Sequence, residues 1–524
     1  MESAQPKRKR RGGRAAPPTS AKPADAFTLD QSQSFLPTFS SISDTAITTI
    51  IDRASELLVD HGVVVIHEAG AAALKKAGAT DGRDPNRLKI PAELLRQALD
   101  ATPKSVTLYG KTPNRDMALP RNDGSFIMRT GTGAHGFVDP QTSAYRNLAL
   151  GDVEIIAKVA NNLDEVGFIA HPFVHGVPEL TSDIHSFGSL VAKTDKHCWI
   201  QPYNWENVDY LMRIAAVAAG GETALRERPI ASCIVCSFSP MEFKVMDVEA
   251  IIQAGRYGLP IHACSLPSAG GTAPVTTPGH VLMAVVEIMA MVVLAHVLAP
   301  GTPVIATPLM FTLSMRTGSA LQSCVESLQA ASMAIQVVKR GLGLVAHTYG
   351  SGSDTPDVDV QSMAERALIC QTIALSGADI LGGVGQLECA TVFSPIQAIL
   401  DNEIGAQMRR FKRMSVVDEE TLNWREIPNV KPGGHFLDSM HTLKYCREQL
   451  QPVVMQRADR DDYENSGRRT AFDEARDTCL ALMEGPLPES VPGEDAVNEI
   501  ADIVAAADKH ILAEAAKEGA RAQI

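Results

Sequence analysis

Short hydrophobic runs recur along the chain, and each ends in glycine, proline or a polar residue. They are rich in β-branched and aromatic residues, which favours strands. Eight such runs are found, at residues 125–129, 166–171, 197–201, 230–236, 259–264, 303–307, 343–347 and 378–381. The segments between them, such as 208–219, 247–257, 322–340 and 360–376, have helical periodicity. Eight βα units predict an α/β protein folded as a TIM (β/α)8 barrel rather than an open doubly wound sheet.

The pattern changes at both ends of this repeat. Residues 1–26 contain a dense basic cluster at 7–14. Their composition predicts a disordered basic tail. The alternative is an arm that docks a partner or a neighbouring subunit. Residues 27–120, with helical periodicity at 44–61, are expected to form an N-terminal helical cap or extension. The barrel is expected to occupy residues 121–400. Residues 401–524 are mostly helical in pattern and should pack on the outside of the barrel.

One apolar stretch, residues 281–299, approaches the length of a membrane span. Glu287 and His296 interrupt it, and Gly279 and Pro300 bound it. A buried helix beside the sheet is the better interpretation, so no membrane partner is expected.

The composition narrows the range of partners and compartments. With 524 residues, 45% of them hydrophobic and 21% charged, the chain can form a large core. Its net charge of −13 argues against nucleic acid, because phosphates need a basic surface. No apolar core follows the basic cluster, so a secretory signal is not expected. The nine scattered cysteines therefore indicate reduced thiols in a cytoplasmic protein.

Two local patterns suggest chemistry that the rest of the sequence does not support. Cys233 and Cys236 have CxxC spacing, but they lie in a strand-like run where residues three apart face opposite sides. Buried packing is favoured over zinc or redox roles, although Cys236 could point into the barrel mouth. Gly131-Thr132-Gly133 lacks the third glycine of a dinucleotide-binding loop and is interpreted as a tight turn.

The side chains that leave the eight strands are expected to line one mouth, because parallel strands present their carboxyl ends together. They are Thr132, His135, His171, Phe173, Gln201, Tyr203, Phe238, Ser239, Leu266, Ser268, Thr307, Phe311, His347, Tyr349, Gln386 and Glu388. The set contains no lysine, which disfavours a Schiff-base aldolase. It also contains no HxH, DxD or multi-thiolate pattern, so no metal site is expected.

Aromatic rings around a carboxylate suit a quaternary ammonium ion, which has no N–H to donate and is held by π faces worth about 0.5–2 kcal/mol each. The predicted substrate-binding residues are Phe238, Tyr203, Gln201, His171, Phe311, Tyr349, Phe393 and Trp199. Ordinary barrel packing is the alternative for each ring. Glu388 could face the cation or be an acid at a helix N-terminus. His171 and His347 could equally bind a substrate carboxylate or cap a backbone group.

Two glycine-rich runs follow the last two predicted strands, Gly350-Ser351-Gly352-Ser353-Asp354 and Gly383-Val384-Gly385-Gln386-Leu387-Glu388. Together with Arg11-Gly12-Gly13-Arg14, Gly270-Gly271-Thr272-Ala273-Pro274-Val275 and Pro432-Gly433-Gly434-His435-Phe436-Leu437, they resemble the trimethylamine methyltransferase (MttB) family. The resemblance extends from about residue 30 to the last helix and implies the same barrel fold. In the archaeal trimethylamine enzymes of that family, pyrrolysine lies in the middle of the Gly-Ser-x-Ser-Asp motif, where this chain has Gly352.

This departure makes the chain similar to the non-pyrrolysine branch, whose members demethylate quaternary amines such as glycine betaine. The resemblance implies that the methyl acceptor is the Co(I) corrinoid of a partner protein, so no tightly bound cofactor is expected; a homo-oligomer is expected. Glu388, His347 and Gly352 are the predicted catalytic positions, and for Gly352 a turn residue with positive φ is the alternative. A demethylase of trimethylamine, another methylated amine or a sulfonium, or a catalytically silent quaternary-amine-binding protein, remains open.

Overall fold

The computed structural model describes residues 39–521, and the side chains of residues 39–517. The basic tail at residues 1–26 lies outside the described residues. Eight parallel strands form a closed barrel in chain order. They are β1 (Ile127–Thr130), β2 (Val166–Ala170), β3 (His197–Ile200), β4 (Ala231–Cys236), β5 (Ile261–Ser265), β6 (Val304–Pro308), β7 (Val345–Tyr349) and β8 (Ile380–Val384). All eight predicted strands are confirmed.

Each strand is followed by a helix on the outside of the barrel. These are α1 (Leu150–Asn161), α2 (Ser182–Val191), α3 (Asn207–Ala219), α4 (Val245–Tyr257), α5 (Thr277–Leu298), α6 (Val325–Gln336), α7 (Val360–Ser376) and α8 (Pro395–Lys412). Left-handed glycines end α3, α4 and α7 at Gly220, Gly258 and Gly377, where a positive φ lets the chain turn back to the next strand.

Helix α5 is the apolar stretch that approaches membrane length. By length and composition it is the one membrane-span candidate in the described chain, and most of it is buried. It packs against α4, α6, and the N-terminal helices Asp44–Glu56 and Ala92–Ala101. Because neighbours surround it, apolar residues occupy all of its faces. Its buried Glu287 accepts hydrogen bonds from Ser237, Ser239, Ser265 and the Met241 amide, which holds the loop after β4 against the helix.

The N-terminal extension has strands as well as the predicted helices. Helices Asp44–Glu56, Glu68–Lys76 and Ala92–Ala101 flank the short strands Val63–Val65, Thr80–Asp81 and Arg87–Lys89, and Glu242–Phe243 from the β4–α4 loop completes their sheet. A hairpin, Val106–Leu108 and Met117–Leu119, packs its apolar residues with the first residues of the barrel strands, such as Ile127 and Val345. This hairpin therefore closes the amino-terminal end of the barrel.

Two small sheets stand over the opposite end, which we call the mouth. One consists of Gly136–Val138, Tyr145–Asn147, Gln386–Leu387 and Val392–Phe393, and the other of Ser268–Ala269, Phe311–Leu313 and Ala320–Leu321. The C-terminal part continues with the short helices Ile427–Asn429, Met440–Tyr445, Cys446–Glu448 and Arg460–Asn465, and then Ala471–Glu484 and Glu494–Arg521. The last two pack on the outside of the barrel, against α1 and α8 and against α2 and α3 respectively.

Candidate active site

The two glycine-rich runs form adjoining loops at the ends of β7 and β8, as the sequence predicts. The amides of Gly350 and Ser351 both donate to the Gly382 carbonyl at 2.9 Å. The Cys389 amide donates to the Ser353 carbonyl at 3.0 Å. Backbone hydrogen bonds therefore tie the two loops into one unit at the mouth.

Glycine is required where these loops approach each other most closely. Gly383 has φ +101°, and a Cβ there would lie 2.2 Å from the Ser351 carbonyl oxygen. Gly352 has φ +118°, and its Cβ would lie 2.3 Å from Gln322 Nε2. The positive φ of Gly352 agrees with its interpretation as a turn residue, and its catalytic role stays a prediction.

A buried ion pair lies beneath the two loops. Arg366 on α7 and Asp401 on α8 are both fully buried, with 2.7 Å between Nη1 and Oδ2. Arg366 also donates to Ser351 Oγ at 3.0 Å and to the Gln386 carbonyl, and Asp401 accepts from the Gly385 amide at 2.7 Å. The pair thus fixes one residue of the first loop and two of the second.

Deeper in the barrel, four polar or aromatic side chains form one layer. Arg129, Trp199, His262 and His347 come from β1, β3, β5 and β7, the alternate strands that share a layer in this fold. The rings of Trp199 and His262 stack at 4.4 Å, and those of Trp199 and His347 meet edge-on at 5.1 Å. Arg129 Cζ lies 4.1 Å from the centre of the Trp199 ring.

Arg129 and His347 define the charge of this layer. Both are completely buried, and Arg129 Nε donates to His347 Nε2 at 2.9 Å. His347 therefore accepts at Nε2 and carries its proton on Nδ1, and burial holds its pKa well below the usual value. Burial also lowers the pKa of Arg129 to about 10, so the guanidinium remains charged at neutral pH. The layer consists of one cation among neutral rings.

A chain of hydrogen bonds continues from this layer to the closed end of the barrel. His262 Nε2 lies 2.9 Å from Ser232 Oγ, which lies 2.9 Å from His197 Nε2. His197 Nδ1 donates to the Tyr109 carbonyl at 2.9 Å. Burial lowers the pKa of His197 to about 4, so this chain is neutral and positions His262 rather than supplying a charge.

Three of the predicted cage rings lie inside the barrel or at its mouth. Tyr349 ends β7, and its ring meets the Phe311 ring edge-on at 5.9 Å. Trp199 lies deeper, with His262 stacked on it and Arg129 over the ring. Arg129 Cζ lies 4.1 Å from the Trp199 ring centre and 5.9 Å from the Tyr349 ring centre, so both rings face a cation of the protein, whereas Phe311 is half-buried beside Tyr349.

The other three predicted rings are placed elsewhere. Phe238 is 56% exposed, and Lys244 Nζ lies 3.4 Å from its ring centre, so a protein cation covers one face. Tyr203 is at the rim, beside Phe173. Phe393 is buried in the hydrophobic core outside the barrel, so it does not join Tyr349 and Phe311.

Gln201 and His171 belong to a structural network at the rim. His171 Nε2 accepts from the Gln201 amide at 3.0 Å, and Nδ1 lies 3.2 Å from the Pro172 carbonyl. Burial lowers the pKa of His171 to about 4. Of its two predicted roles, the geometry places His171 in the capping of backbone groups. The Gln201 side chain accepts from Thr132 Oγ1, which links β3 to the end of β1.

Glu388 lies on a turn at the rim of the mouth. It is exposed, and Glu388, Cys389 and Ala390 all have left-handed backbone conformations. Within the described residues, its carboxylate makes no ion pair. A carboxylate that faced a substrate cation in a buried pocket would cost about 2–4 kcal/mol of transition-state stabilisation if it were lost. An exposed carboxylate is screened by water and acts more weakly.

We therefore expect Glu388→Gln to lower kcat/KM by about fivefold, which corresponds to about 1 kcal/mol. The thermal midpoint should be unchanged, because the side chain is exposed. Steady-state kinetics with the methyl donor at low and high salt would measure the effect, which should shrink as salt rises. Glu489→Gln is the control, because Glu489 is also exposed and its replacement removes the same charge. A loss of more than a hundredfold in Glu388→Gln alone would show that the carboxylate acts from a position other than the exposed one.

The thiols at the mouth are not activated. Cys236 and Cys264 are neighbours in the register of β4 and β5, and the hydrogen bond from Cys264, together with burial, raises the pKa of Cys236 well above its usual value. As predicted, Cys233 packs on the opposite side of the strand, in the outer core. No group of three His, Cys, Asp or Glu side chains in residues 39–517 is arranged to hold a metal ion. The interior suits binding and orientation rather than covalent or acid–base chemistry.

Sequence reasoning missed Arg129 and His262. Arg129 was visible as a charged residue inside a hydrophobic run, followed at once by Thr-Gly-Thr-Gly. His262 was visible as a polar residue in the middle of the fifth run. A strand that is buried on both faces shows no alternation, so the sequence does not indicate that these two side chains point into the barrel.

The chain is similar to known proteins over most of its length. The sequence profile of the trimethylamine methyltransferase (MTTB) family matches residues 7–510. The trimethylamine methyltransferase MttB of Desulfitobacterium hafniense is 27% identical over 413 residues, covering 77% of this chain and 81% of that protein. A glycine betaine methyltransferase of Desulfitobacterium hafniense is 25% identical over 383 residues, covering 72% and 79%.

Among solved structures, the monomethylamine methyltransferase (MtmB) of Methanosarcina barkeri has a similar fold. It aligns with a TM-score of 0.50 and 13% identity, covering 88% of this chain and 92% of that chain. At this identity the likeness concerns the fold alone, and it agrees with the closed eight-stranded barrel.

Proposed function

Because the chain belongs to the trimethylamine methyltransferase (MTTB) family, we propose that it moves a methyl group from a quaternary amine, glycine betaine or a related betaine, to the Co(I) corrinoid of a partner protein. The enzyme class is methyltransferase. The observation that carries the choice of donor is the barrel interior, which has aromatic surface at the mouth and neutral histidines below it. Burial holds the pKa values of His262 and His347 well below their usual value, so these histidines add no positive charge beside the substrate ammonium group.

A quaternary amine suits such a site. The partner's corrinoid supplies the nucleophile and takes the methyl group. The C–N bond breaks and its electron pair stays on nitrogen, so the amine leaves as a neutral molecule and needs no general acid. Tyr349 and Phe311 would hold the ammonium group through their π faces. The loops at Gly350 and Gly383 would orient the methyl group towards the mouth and exclude water.

The exposed surface and the cysteines bear on the oligomeric state and on the compartment of the protein. We propose a homo-oligomer, because residues 413–453 expose many large apolar side chains, including Val417, Leu437, Met440 and Val453. All nine cysteines are free, which supports a reducing, cytoplasmic setting. His435 and His441 belong to this exposed C-terminal region rather than to the barrel mouth.

The test of the function is methyl transfer to reduced cobalamin. The purified chain is incubated with cob(I)alamin and glycine betaine, and the spectral change on methylation is followed with dimethylglycine formation. Both should increase with enzyme concentration. Binding of glycine betaine without either change would instead identify a silent binding protein, and transfer only from a sulfonium would identify a different donor.

We also expect the purified chain to hold no stoichiometric metal or cobalamin. The physical reason is that burial raises the thiol pKa values of Cys198, Cys233 and Cys370, and that the barrel histidines are held in hydrogen bonds. Elemental analysis of chelator-treated protein should find less than about 0.1 equivalent of zinc or cobalt. A full equivalent that survives the chelator would contradict this expectation.

A further inference from the structure

We propose that Arg129 is the receptor for a carboxylate on the substrate, so that the methyl donor is a zwitterion rather than a simple cation. The ammonium half of this inference rests on the proposed function, whereas the carboxylate half rests on Arg129 alone. Arg129 is completely buried in the barrel, and its Nη2 has no hydrogen-bond partner among the described residues. Its other nitrogens donate to His347 Nε2 and to the Thr130 carbonyl at 2.9 and 2.7 Å.

The three other fully buried basic side chains, Arg366, Lys196 and Lys412, are compensated, which sets Arg129 apart. Lys412 donates to the Gly124 carbonyl at 2.6 Å, and the Asp379 and Asp123 carboxylates favour its charged form. Arg366 is paired with Asp401 at 2.7 Å. Lys196 has no carboxylate at hydrogen-bond distance, but its ammonium donates to three backbone carbonyls, of Ala160, Leu163 and Val166. The groups that favour the charged form of Arg129 are Tyr349 and Cys264, and neither is a carboxylate. A buried guanidinium with an open donor is costly unless an anion joins it.

Two neighbours of Arg129 also have open nitrogens. Trp199 Nε1 and His262 Nδ1 are buried and have no partner among the described residues. Trp199 lies under the guanidinium and His262 stacks on Trp199. Three open nitrogens in one layer are unusual, because buried polar groups are nearly always hydrogen-bonded. Trp199 Nε1 is a donor, so this nitrogen and Arg129 Nη2 present N–H groups for an anion. His197 donates at Nδ1 and therefore accepts from Ser232 at Nε2, so His262 Nε2 donates to the Ser232 oxygen and its open Nδ1 is an acceptor.

The backbone around Arg129 is adapted to this side chain. The pairing of β1 with β2 changes register between Met128 and Arg129. The pairing of β1 with β8 also changes register, between Leu381 and Val384 of β8. In β8, a Cβ on Gly382 would lie 2.8 Å from Arg129 Cζ, so glycine leaves the space that the guanidinium occupies. Irregularities of this kind often lie next to active sites, where they redirect a side chain.

The position of Arg129 suits the far end of a small zwitterion. Its Cζ lies 5.9 Å from the ring centre of Tyr349, which ends β7 at the mouth. An ammonium group at Tyr349 and Phe311 would point its methyl groups towards the partner, and its carboxylate would reach down towards Arg129. If the ligand were a cation without a carboxylate, no negative charge would lie between it and the guanidinium. The two positive charges would repel each other strongly, because water is excluded from the barrel interior.

Three small probes separate the two ends of the substrate in a binding experiment on the chain alone. Glycine betaine carries both groups, 3,3-dimethylbutanoate carries only the carboxylate, and tetramethylammonium carries only the cation. We expect calorimetry to show binding of the first two and at least tenfold weaker binding of tetramethylammonium. Tetramethylammonium that binds as tightly as glycine betaine, or 3,3-dimethylbutanoate that does not bind, would overturn the inference without any variant.

The variant Arg129→Gln then tests the residue. Affinity for glycine betaine and 3,3-dimethylbutanoate should fall by about a hundredfold, because a buried charge pair is lost, while tetramethylammonium should bind better than to the wild type. Arg129→Lys keeps the charge without the planar fork and should be intermediate. Thermal unfolding checks that the variant is folded. Without ligand, the thermal midpoint of Arg129→Gln should be at least as high as that of the wild type. Unchanged affinity in Arg129→Gln would overturn the inference.

The fluorescence of Trp199 tests whether the carboxylate of the ligand binds next to this ring and Arg129. In a Trp205→Phe, Trp424→Phe background, Trp199 is the remaining tryptophan, and titration with 3,3-dimethylbutanoate should change its emission with the calorimetric affinity. An equal response to acetate or chloride would mean a general anion site and would contradict a substrate receptor. Turnover separates this inference from the proposed function. If Arg129→Gln transfers methyl groups from glycine betaine at the wild-type rate, the proposed function stands and the role of Arg129 is refuted. If carboxylates bind through Arg129 but no methyl group is transferred, the role of Arg129 stands and the proposed function is refuted.

Discussion

Asp401→Ala is expected to lower the free energy of unfolding by about 3–5 kcal/mol, because it leaves the guanidinium of Arg366 buried without its counter-charge. The pair is fully buried and joins α7 and α8 to the loops at Ser351 and Gly385. Removing the carboxylate also leaves the Gly385 amide without an acceptor. The denaturation midpoint should fall by an amount that corresponds to this free energy, and methyl transfer should be lost together with it.

Two further variants show whether the lost stability and the lost activity of Asp401→Ala come from the unpaired charge or from the missing hydrogen bonds to the loops. Glu464→Ala breaks an exposed pair with Arg468 and should change stability by less than about 1 kcal/mol. The double replacement Arg366→Met with Asp401→Leu should recover much of the lost stability, since apolar residues can substitute for a buried pair. Activity should stay low in the double variant, because the hydrogen bonds to Ser351 and Gly385 are absent. A single variant as stable as the wild type would contradict the assigned role.

The barrel could be predicted from the sequence because its strands are buried on both faces. Such strands are short, almost continuous hydrophobic runs, and here eight of them alternate with helical segments. The extension was harder to predict. Its strands have two or three residues, such as Thr80–Asp81, and one partner, Glu242–Phe243, comes from a distant loop. Pairing of this kind is decided by tertiary contacts, which local sequence does not encode.

The candidate site could be predicted only in part. The two glycine loops were identified because glycine marks a close backbone approach, which the contact between Gly383 and Ser351 illustrates. The direction of side chains within a fully buried strand cannot be read from alternation, so Arg129 was missed. Phe393 was assigned to the mouth because it follows β8 in sequence, but its small strand turns its ring into the outer core. The exposure of Glu388 depends on a left-handed turn that no local pattern indicates.

The donor preference is the second large effect that we expect. Glycine betaine should be demethylated with a kcat/KM at least about a hundredfold above that of trimethylamine at pH 7. Trimethylamine is protonated at neutral pH, and it can release a neutral amine only while it keeps that proton, whereas the charge of glycine betaine is permanent. The histidines of the barrel have pKa values lowered by burial, so they are neutral and cannot protonate an amine that has lost its own proton.

The charge of Arg129 acts in the same direction. A protonated amine about 5 Å from the guanidinium costs about 3 kcal/mol at an effective dielectric constant of 20, which is about two orders of magnitude in rate. A betaine avoids this cost because its carboxylate lies between the two positive charges. Gly352 contributes no side chain, and the buried Gln322 side chain lies where its Cβ would be. Initial rates of cob(I)alamin methylation with trimethylamine, glycine betaine, carnitine and proline betaine would measure the preference. The trimethylamine rate should fall as the pH rises through the range where the amine loses its proton, because the free amine would have to leave as an amide anion, and the betaine rates should not fall in this way. Efficient demethylation of trimethylamine with no transfer from the quaternary amines would refute both the donor class and the role given to the buried cation.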